Sequence, residues 1–192
     1  MKTTITSLFS LLFASAFLVG CEDCGSATIT EPTVADTEWL VYSSGDTAVF
    51  KDENADTVWY VRTGIYAQST PGDGYNVSDE CIEKLNTQIA NIMEDTREAA
   101  DQRQPYLGTL ILSKPDSLLV RIGVGTQATW SIDTAAATQE KEVNGKTYTG
   151  VYVLEGEGTK DTDVKNVYFN KSDGFLYVEF NNGRKLELIE VR

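Results

Sequence analysis

Carboxylates are the main groups in this chain that could do chemistry, because its 192 residues include 29 acidic residues and no histidine. Two sets are close enough in sequence to hold calcium through oxygen ligands, one at Asp52, Glu53 and Asp56 and the other at Asp161 and Asp163. Neither set has the glycine and closing glutamate of a calcium-binding loop. Without histidine, the chain also lacks the commonest general base and metal ligand. We therefore expect solvated loop acids, no metal, no cofactor and no enzyme activity.

Cys21 has the clearest chemical assignment of the three cysteines. It closes the run Leu18-Val19-Gly20-Cys21, which resembles a bacterial lipobox, after an apolar stretch from Ile5 to Val19. This stretch of about 15 residues is shorter than the roughly 20 residues that a spanning helix needs, so residues 1–20 are predicted to be a signal peptide. Acylation of Cys21 would then hold the protein at the bacterial outer membrane, on the periplasmic or the cell-surface side.

Cys24 and Cys81 remain once Cys21 is assigned to lipid. In an oxidising compartment they are candidates for a disulfide, and two free thiols are the alternative. Residues 21–37 are polar and contain Pro32, which is typical of a flexible tether. Residues 38–192 are sufficient for a single domain with its own core.

The formal net charge of −13 restricts the partners that we expect. An acidic surface repels phosphate backbones and anionic headgroups. We therefore expect no nucleic acid partner, and attachment to the membrane only through the lipid on Cys21.

Short β-type runs alternate with turn signals along the domain. The strongest signal is Asn144-Gly145, because both central positions of a type I′ hairpin turn need positive φ. Residues 171–174 and 181–183 separate three further runs in the last third. The pattern predicts a mainly β domain, built as an antiparallel sandwich or an open barrel.

Residues 79–103 do not follow this pattern, and the spacing of their apolar residues predicts a helical segment. Their apolar residues form one stripe at helical spacing, with Ser78 as an N-cap and Pro105 as a stop. The members of the stripe are Ile82, Leu85, Ile89, Ile92, Met93, Ala99 and Ala100. The alternative is a strand from Cys81 to Ile89, followed by a loop around Glu94 to Gln104.

Aspartate followed by serine or threonine and an apolar residue occurs four times. The triplets resemble the O-glycosylation acceptor motif of exported Bacteroidetes proteins, with acceptors at Thr47, Thr57, Ser117 and Thr134. An aspartate turn before a β-branched strand start would produce the same triplet, so both interpretations stay open.

Aromatic residues could line a groove for sugar, peptide or lipid, although at strand spacing they more often belong to the core. The candidates are Trp39, Trp59, Trp130, Tyr148, Tyr152, Tyr168 and Tyr177.

Several turn-rich motifs resemble a family of small Bacteroidetes lipoproteins. They are Tyr42-Ser43-Ser44-Gly45-Asp46-Thr47, Asn144-Gly145-Lys146-Thr147-Tyr148 and Val167-Tyr168-Phe169-Asn170-Lys171, with Gly174 and Gly183. The resemblance implies an exported, lipid-anchored, β-rich protein and implies no reaction. The leading hypothesis is a non-enzymatic lipoprotein of the cell envelope with a structural or protein-interaction role. The alternatives are a lipocalin-like or carrier-like module for an apolar ligand and a carbohydrate-binding accessory lipoprotein.

Overall fold

The computed structural model describes residues 24–98 and 103–192. Over these residues the chain is mostly β and contains one four-residue helix, α1 (Val34–Thr37). The strands are β1 (Thr28–Thr30), β2 (Thr47–Asp52), β3 (Thr57–Pro71), β4 (Lys84–Asp95), β5 (Leu107–Lys114), β6 (Ser117–Val124), β7 (Ala128–Ile132), β8 (Gln139–Val143), β9 (Lys146–Glu155), β10 (Val164–Asn170), β11 (Gly174–Phe180) and β12 (Lys185–Val191).

The strands form one antiparallel sheet that curls into a half-barrel. Strands β2 to β7 are neighbours in chain order, and so are β8 to β12. The two runs join where β12 pairs with β2. The predicted mainly β, antiparallel class is therefore confirmed, and the arrangement is the open, curled sheet rather than two packed layers. Strand β1 is an exception, because it pairs in parallel with β4.

The core is formed by buried side chains from both runs of strands, β2 to β7 and β8 to β12. Its largest fully buried side chains are Tyr60, Phe50, Phe169, Phe175, Phe180 and Met93. The segment before β2 covers this core with Trp39 and Tyr42. The Phe175 backbone N–H donates to the Tyr42 hydroxyl over 2.9 Å, and the Asn91 side-chain amide donates to the Tyr42 carbonyl over 2.8 Å. Burial of the Tyr42 ring raises the pKa of its hydroxyl far above the ordinary tyrosine value. Hydrogen bonds to both ends of the residue thus fix the covering segment to β4 and β11.

The hairpin predicted at Asn144-Gly145 is present. The two residues have φ values of 51° and 75° and connect β8 to β9. Local turn chemistry is enough to specify this hairpin, since few residues other than glycine and asparagine accept a positive φ at low cost.

The helix predicted near 79–103 is wrong for the described part of that segment. Residues 84–95 form strand β4, paired with β3 on one side and β5 on the other. The result is closer to the alternative of a strand followed by a loop, and Ala99 and Ala100 lie outside the described residues. The helix prediction failed because Leu85, Ile89 and Met93 follow one another at intervals of four residues. This spacing puts them on one face of a strand as well as one face of a helix, so pairing with two long neighbours decides between them.

The flexible tether predicted over 21–37 is also wrong from residue 24 onwards. Strand β1 adds three residues to the edge of β4. Helix α1 follows, with a capping box in which Thr33 and Asp36 each accept a hydrogen bond from the other's backbone N–H. The β-branched run Thr28-Ile29-Thr30 favours pairing with a strand over a free polar spacer.

Candidate functional site

Strand β3 is 15 residues long, but β2 covers only its first five residues. The pairing of β2 with β3 runs from Lys51 opposite Thr57 to Thr47 opposite Val61, where β2 begins. Beyond that point β3 continues beside β4 alone. Within the part of the chain that the structure describes, no strand pairs with residues 62–71 on the side away from β4. We call residues 62–71 the open edge.

The open edge lacks the usual protection against pairing with another chain. Its residues from Thr63 to Pro71 carry no charge. Ile65 and Tyr66 are 53% and 65% exposed, and they point to opposite faces because side chains alternate along a strand. Native edge strands are commonly blunted by charges, proline or bulges. Here a bulge between Arg62 and Gly64 and the proline at position 71 protect only the two ends. The centre of the open edge can therefore accept an extended strand.

Residues 72–83 connect β3 to β4, and we call them the hairpin tip. Cys81 in the tip forms a disulfide with Cys24, with 5.4 Å between their Cα atoms. The pairing that the sequence left open is thus present. The backbone N–H of Thr28 also donates to the carbonyl of Glu83 over 2.8 Å, so β1 and the disulfide hold the tip at adjacent points.

The hairpin tip is acidic and exposed. Its four carboxylates belong to Asp73, Asp79, Glu80 and Glu83. Tyr75 donates to the Glu83 carboxylate over 3.0 Å, and this hydrogen bond, with a smaller contribution from desolvation, raises the pKa of the Tyr75 hydroxyl. Val77 is 87% exposed. The tip therefore presents carboxylates and a single apolar side chain to its surroundings.

A buried carboxylate lies at the opposite end of β4. The side chain of Asp95 is fully buried, and it accepts hydrogen bonds from Arg97 Nε and from the backbone N–H of Gln104, both over 2.8 Å. Burial alone opposes ionisation of Asp95, but these bonds and the Arg97 charge outweigh it and lower the pKa of the carboxyl. Nearby, the Tyr60 hydroxyl donates to the Pro105 carbonyl over 2.8 Å. The cluster ties the connection between β4 and β5 to the core, which makes it a structural feature.

The acidic clusters considered for calcium use their carboxylates in local turns. Asp52 Oδ1 accepts the backbone N–H groups of Asn54 and Asp56, each over 2.9 Å. Asp163 Oδ2 accepts the backbone N–H of Lys160 over 2.9 Å. Among residues 24–98 and 103–192, no group of three or more cysteine and acidic side chains could hold a metal ion.

Most of the candidate aromatic residues belong to the core or pack against it. Trp39 and Tyr148 are buried, and Trp130, Tyr152, Tyr168 and Tyr177 pack on the core while partly exposed. Trp59 is the exception, at 39% exposed with the Arg192 guanidinium 5.3 Å from its ring centroid. These side chains therefore do not share one exposed platform.

Large buried rings, among them Tyr60, Phe50 and Phe169, belong to the core. A cavity of about 320 Å³ lies near the surface, between β7 and the residues after β9. Trp130, Gly156 and Asp163 contribute to its lining, and the Trp130 Nε1–H donates to the Glu155 carbonyl over 2.9 Å. The lining of this cavity is somewhat more polar than apolar.

Three of the four predicted glycosylation acceptors are exposed, namely Thr57, Ser117 and Thr134. Thr47 is half-buried, and its backbone exchanges two hydrogen bonds with Arg192. Thr47, Thr57 and Ser117 begin strands, as the turn-based interpretation of the triplets expects. Glycosylation at these residues stays a prediction, and so does acylation of Cys21, which lies outside the described residues.

Sequence reasoning missed the open edge. The available signal was the uncharged run from Thr63 to Pro71 beside β-type residues. That run shows only that a strand could form, because the lack of a second neighbour depends on where β2 begins to pair.

Comparison of the chain with models of protein families, with curated proteins and with solved structures found no match. Within the described ranges, no helix has the length and apolar character needed to cross a membrane.

Proposed function

We propose that this chain is a lipoprotein of the bacterial cell envelope, anchored to the outer membrane through lipid on Cys21, with a non-enzymatic role in protein interaction. The lipobox-like run before Cys21 supports the anchor. The Cys24–Cys81 disulfide supports export, because disulfides form and persist in oxidising compartments. The resemblance to small Bacteroidetes lipoproteins points to the same location.

The open edge is the observation that carries the interaction role. A partner can add an extended strand to residues 62–71, with main-chain hydrogen bonds providing affinity and contacts with Ile65 and Tyr66 providing specificity. The formal charge of −13 disfavours a second copy of this chain as that partner. The proposed occupant is therefore an uncharged, extended segment of a protein with a net positive charge.

The anchor is tested by replacing Cys21 with alanine. We expect the wild-type protein to fractionate with membranes and the Cys21→Ala protein to lose that association, because no acyl chain can be attached. Immunoblots of membrane and soluble fractions, with protease treatment of intact and lysed cells, measure both anchoring and sidedness. An Asn54→Ala variant serves as a control, since Asn54 lies in an exposed turn. Equal membrane association of the wild-type and Cys21→Ala proteins would refute the anchor.

The interaction role is tested by photo-crosslinking from the open edge in intact cells. A photoreactive phenylalanine analogue replaces Gln68 at the edge or, as the control, the exposed Thr147 of β9, which is paired with β8. We expect the analogue at position 68 to give a crosslinked product with a basic protein, and the analogue at position 147 to give none. Ala67→Lys should reduce the yield several-fold, because a lysine at an edge opposes strand addition and repels a basic partner.

The remaining outcomes of the crosslinking experiment count against the proposal. A product with twice the mass of this chain would identify a second copy as the occupant. Equal products from positions 68 and 147, or a product that Ala67→Lys leaves unchanged, would show that the open edge is not the interaction surface.

A further inference from the structure

The disulfide sets an upper limit on the distance between the hairpin tip and residue 21. Cys24 is three positions after Cys21 in the sequence, and three fully extended Cα–Cα steps span about 10 Å. The Cα atoms of Cys24 and Cys81 are 5.4 Å apart. Cys81 therefore lies within about 16 Å of the residue proposed to carry the lipid, whatever path the intervening chain takes.

We infer that the hairpin tip, residues 72–83, is the membrane-facing surface of the anchored protein. This inference rests on the proposed lipid anchor at Cys21. Its partner is the lipid surface itself, which the tip approaches at the level of the headgroups. The tether expected from the sequence would have let the domain move away from the membrane and rotate, whereas the disulfide keeps one particular end of it close.

Contacts beyond the disulfide hold residues 24–42 against the rest of the domain, so they cannot act as a long flexible tether. Strand β1 pairs with β4 from Thr28 opposite Lys84 to Thr30 opposite Asn86. Farther along, Tyr42 is hydrogen-bonded at both its carbonyl and its hydroxyl. The chain is thus attached to the rest of the domain at three points between residues 24 and 42, so this stretch does not let the domain move away from Cys24.

Because the β3–β4 hairpin is long, one end of the domain lies close to the proposed membrane surface and the other end lies far from it. Strand β3 has 15 residues, which at a rise of about 3.3 Å per residue gives a length of roughly 45 Å. The turn around Asn54, before the start of β3, is therefore at the opposite end of the strand from the tip. The open edge, at residues 62–71, is the part of β3 closer to the tip and so remains within reach of partners in or near the membrane.

The chemistry of the tip favours contact with headgroups over insertion. Four carboxylates oppose entry into the hydrocarbon region and approach to anionic lipid, and Val77 is the only strongly exposed large apolar side chain of the tip. The covalent lipid, rather than charge attraction, holds this surface in place.

Energy transfer from tryptophan to a dansyl-labelled lipid tests the orientation. The lipidated full chain is reconstituted on phosphatidylcholine vesicles that contain a small fraction of dansyl-phosphatidylethanolamine. Val77→Trp adds a donor at the tip, and Asn54→Trp adds a matched donor in an exposed turn at the far end. The native tryptophans give the same background in both variants. We expect transfer from position 77 to exceed that from position 54 several-fold.

A second pair of proteins carries Cys24→Ser and Cys81→Ser in addition. Three paired residues of β1 hold weakly without the disulfide, so the difference between positions 77 and 54 should shrink. If the disulfide-bonded protein cosediments with vesicles but transfers equally from both positions, the orientation is overturned and the anchor stands. Failure of the lipidated protein to cosediment overturns the anchor, and the orientation with it.

Discussion

Replacing Cys24 and Cys81 together by serine should lower the free energy of unfolding by about 4 kcal/mol. The bond joins residues 57 positions apart in sequence, so it removes much of the freedom of the unfolded chain. Serine is close in size to cysteine, so the native packing around the exposed Cys24 should change little. Urea unfolding of the oxidised wild-type protein and the double variant, followed by tryptophan fluorescence, measures the difference.

Two controls distinguish the effect of losing the disulfide bond from the effect of changing the two side chains to serine. Adding a reductant to the wild-type protein should reproduce the loss of stability, while the same reductant should leave the double variant unchanged. The dependence of the unfolding free energy on urea should also steepen in the variant, because an uncrosslinked unfolded chain exposes more surface. An unchanged unfolding free energy in the double variant would show that β1 and the covering segment alone determine the stability of this region.

Replacing Asp95 by asparagine should destabilise the protein by about 2–3 kcal/mol. The substitution removes the buried negative charge that Arg97 and the Gln104 backbone N–H contact, and it adds amide hydrogens that face these donors. Because Arg97 is 29% exposed, water can partly solvate it, so the loss is smaller than for a fully buried cation. Chemical unfolding at neutral pH measures the effect.

Glu94→Gln is the matched control for Asp95→Asn. It makes the same chemical change on the neighbouring residue, which is exposed, and should alter stability by no more than about 0.5 kcal/mol. Similar losses from the two substitutions would indicate that net charge, rather than the buried cluster, is responsible.

The contribution of Asp95 should depend on pH in a defined direction. Its folded pKa is lowered from the ordinary value of 3.8, so the stabilisation is fully present above that value and is lost as the pH falls through the folded pKa. The wild-type and Asp95→Asn proteins should therefore differ most near neutral pH and converge below about pH 4. A difference that stays constant down to pH 2 would contradict this account.

Periodicity alone misled the interpretation of residues 79–103. Ile89 and Met93 are four residues apart, an interval that satisfies both a helix and a strand. The segment became β4 because it could pair with both β3 and β5, and those pairings join residues far apart in sequence. No local pattern contains that information.

The disulfide shows a similar limit. Composition and the assignment of Cys21 left Cys24 and Cys81 as the two candidates, but pairing requires their Cα atoms to come within about 7 Å. They meet because β1 lies beside the start of β4, which places residue 24 next to residue 81. The proximity of Cys24 to Cys81, on which the proposed membrane orientation rests, is therefore visible only in the folded protein.

The features that could be predicted from the sequence depend on neighbouring residues: they are the mainly β class and the turn at Asn144-Gly145, where two positive φ angles require particular residue types. Tertiary structure decided which segments became neighbours. It made residues 84–95 a central strand, attached the predicted tether to the sheet, and left residues 62–71 without a second partner. The physical reason is that turn conformation depends on side chains close in sequence, whereas strand pairing, burial and an open edge depend on how the whole sheet curls around its core.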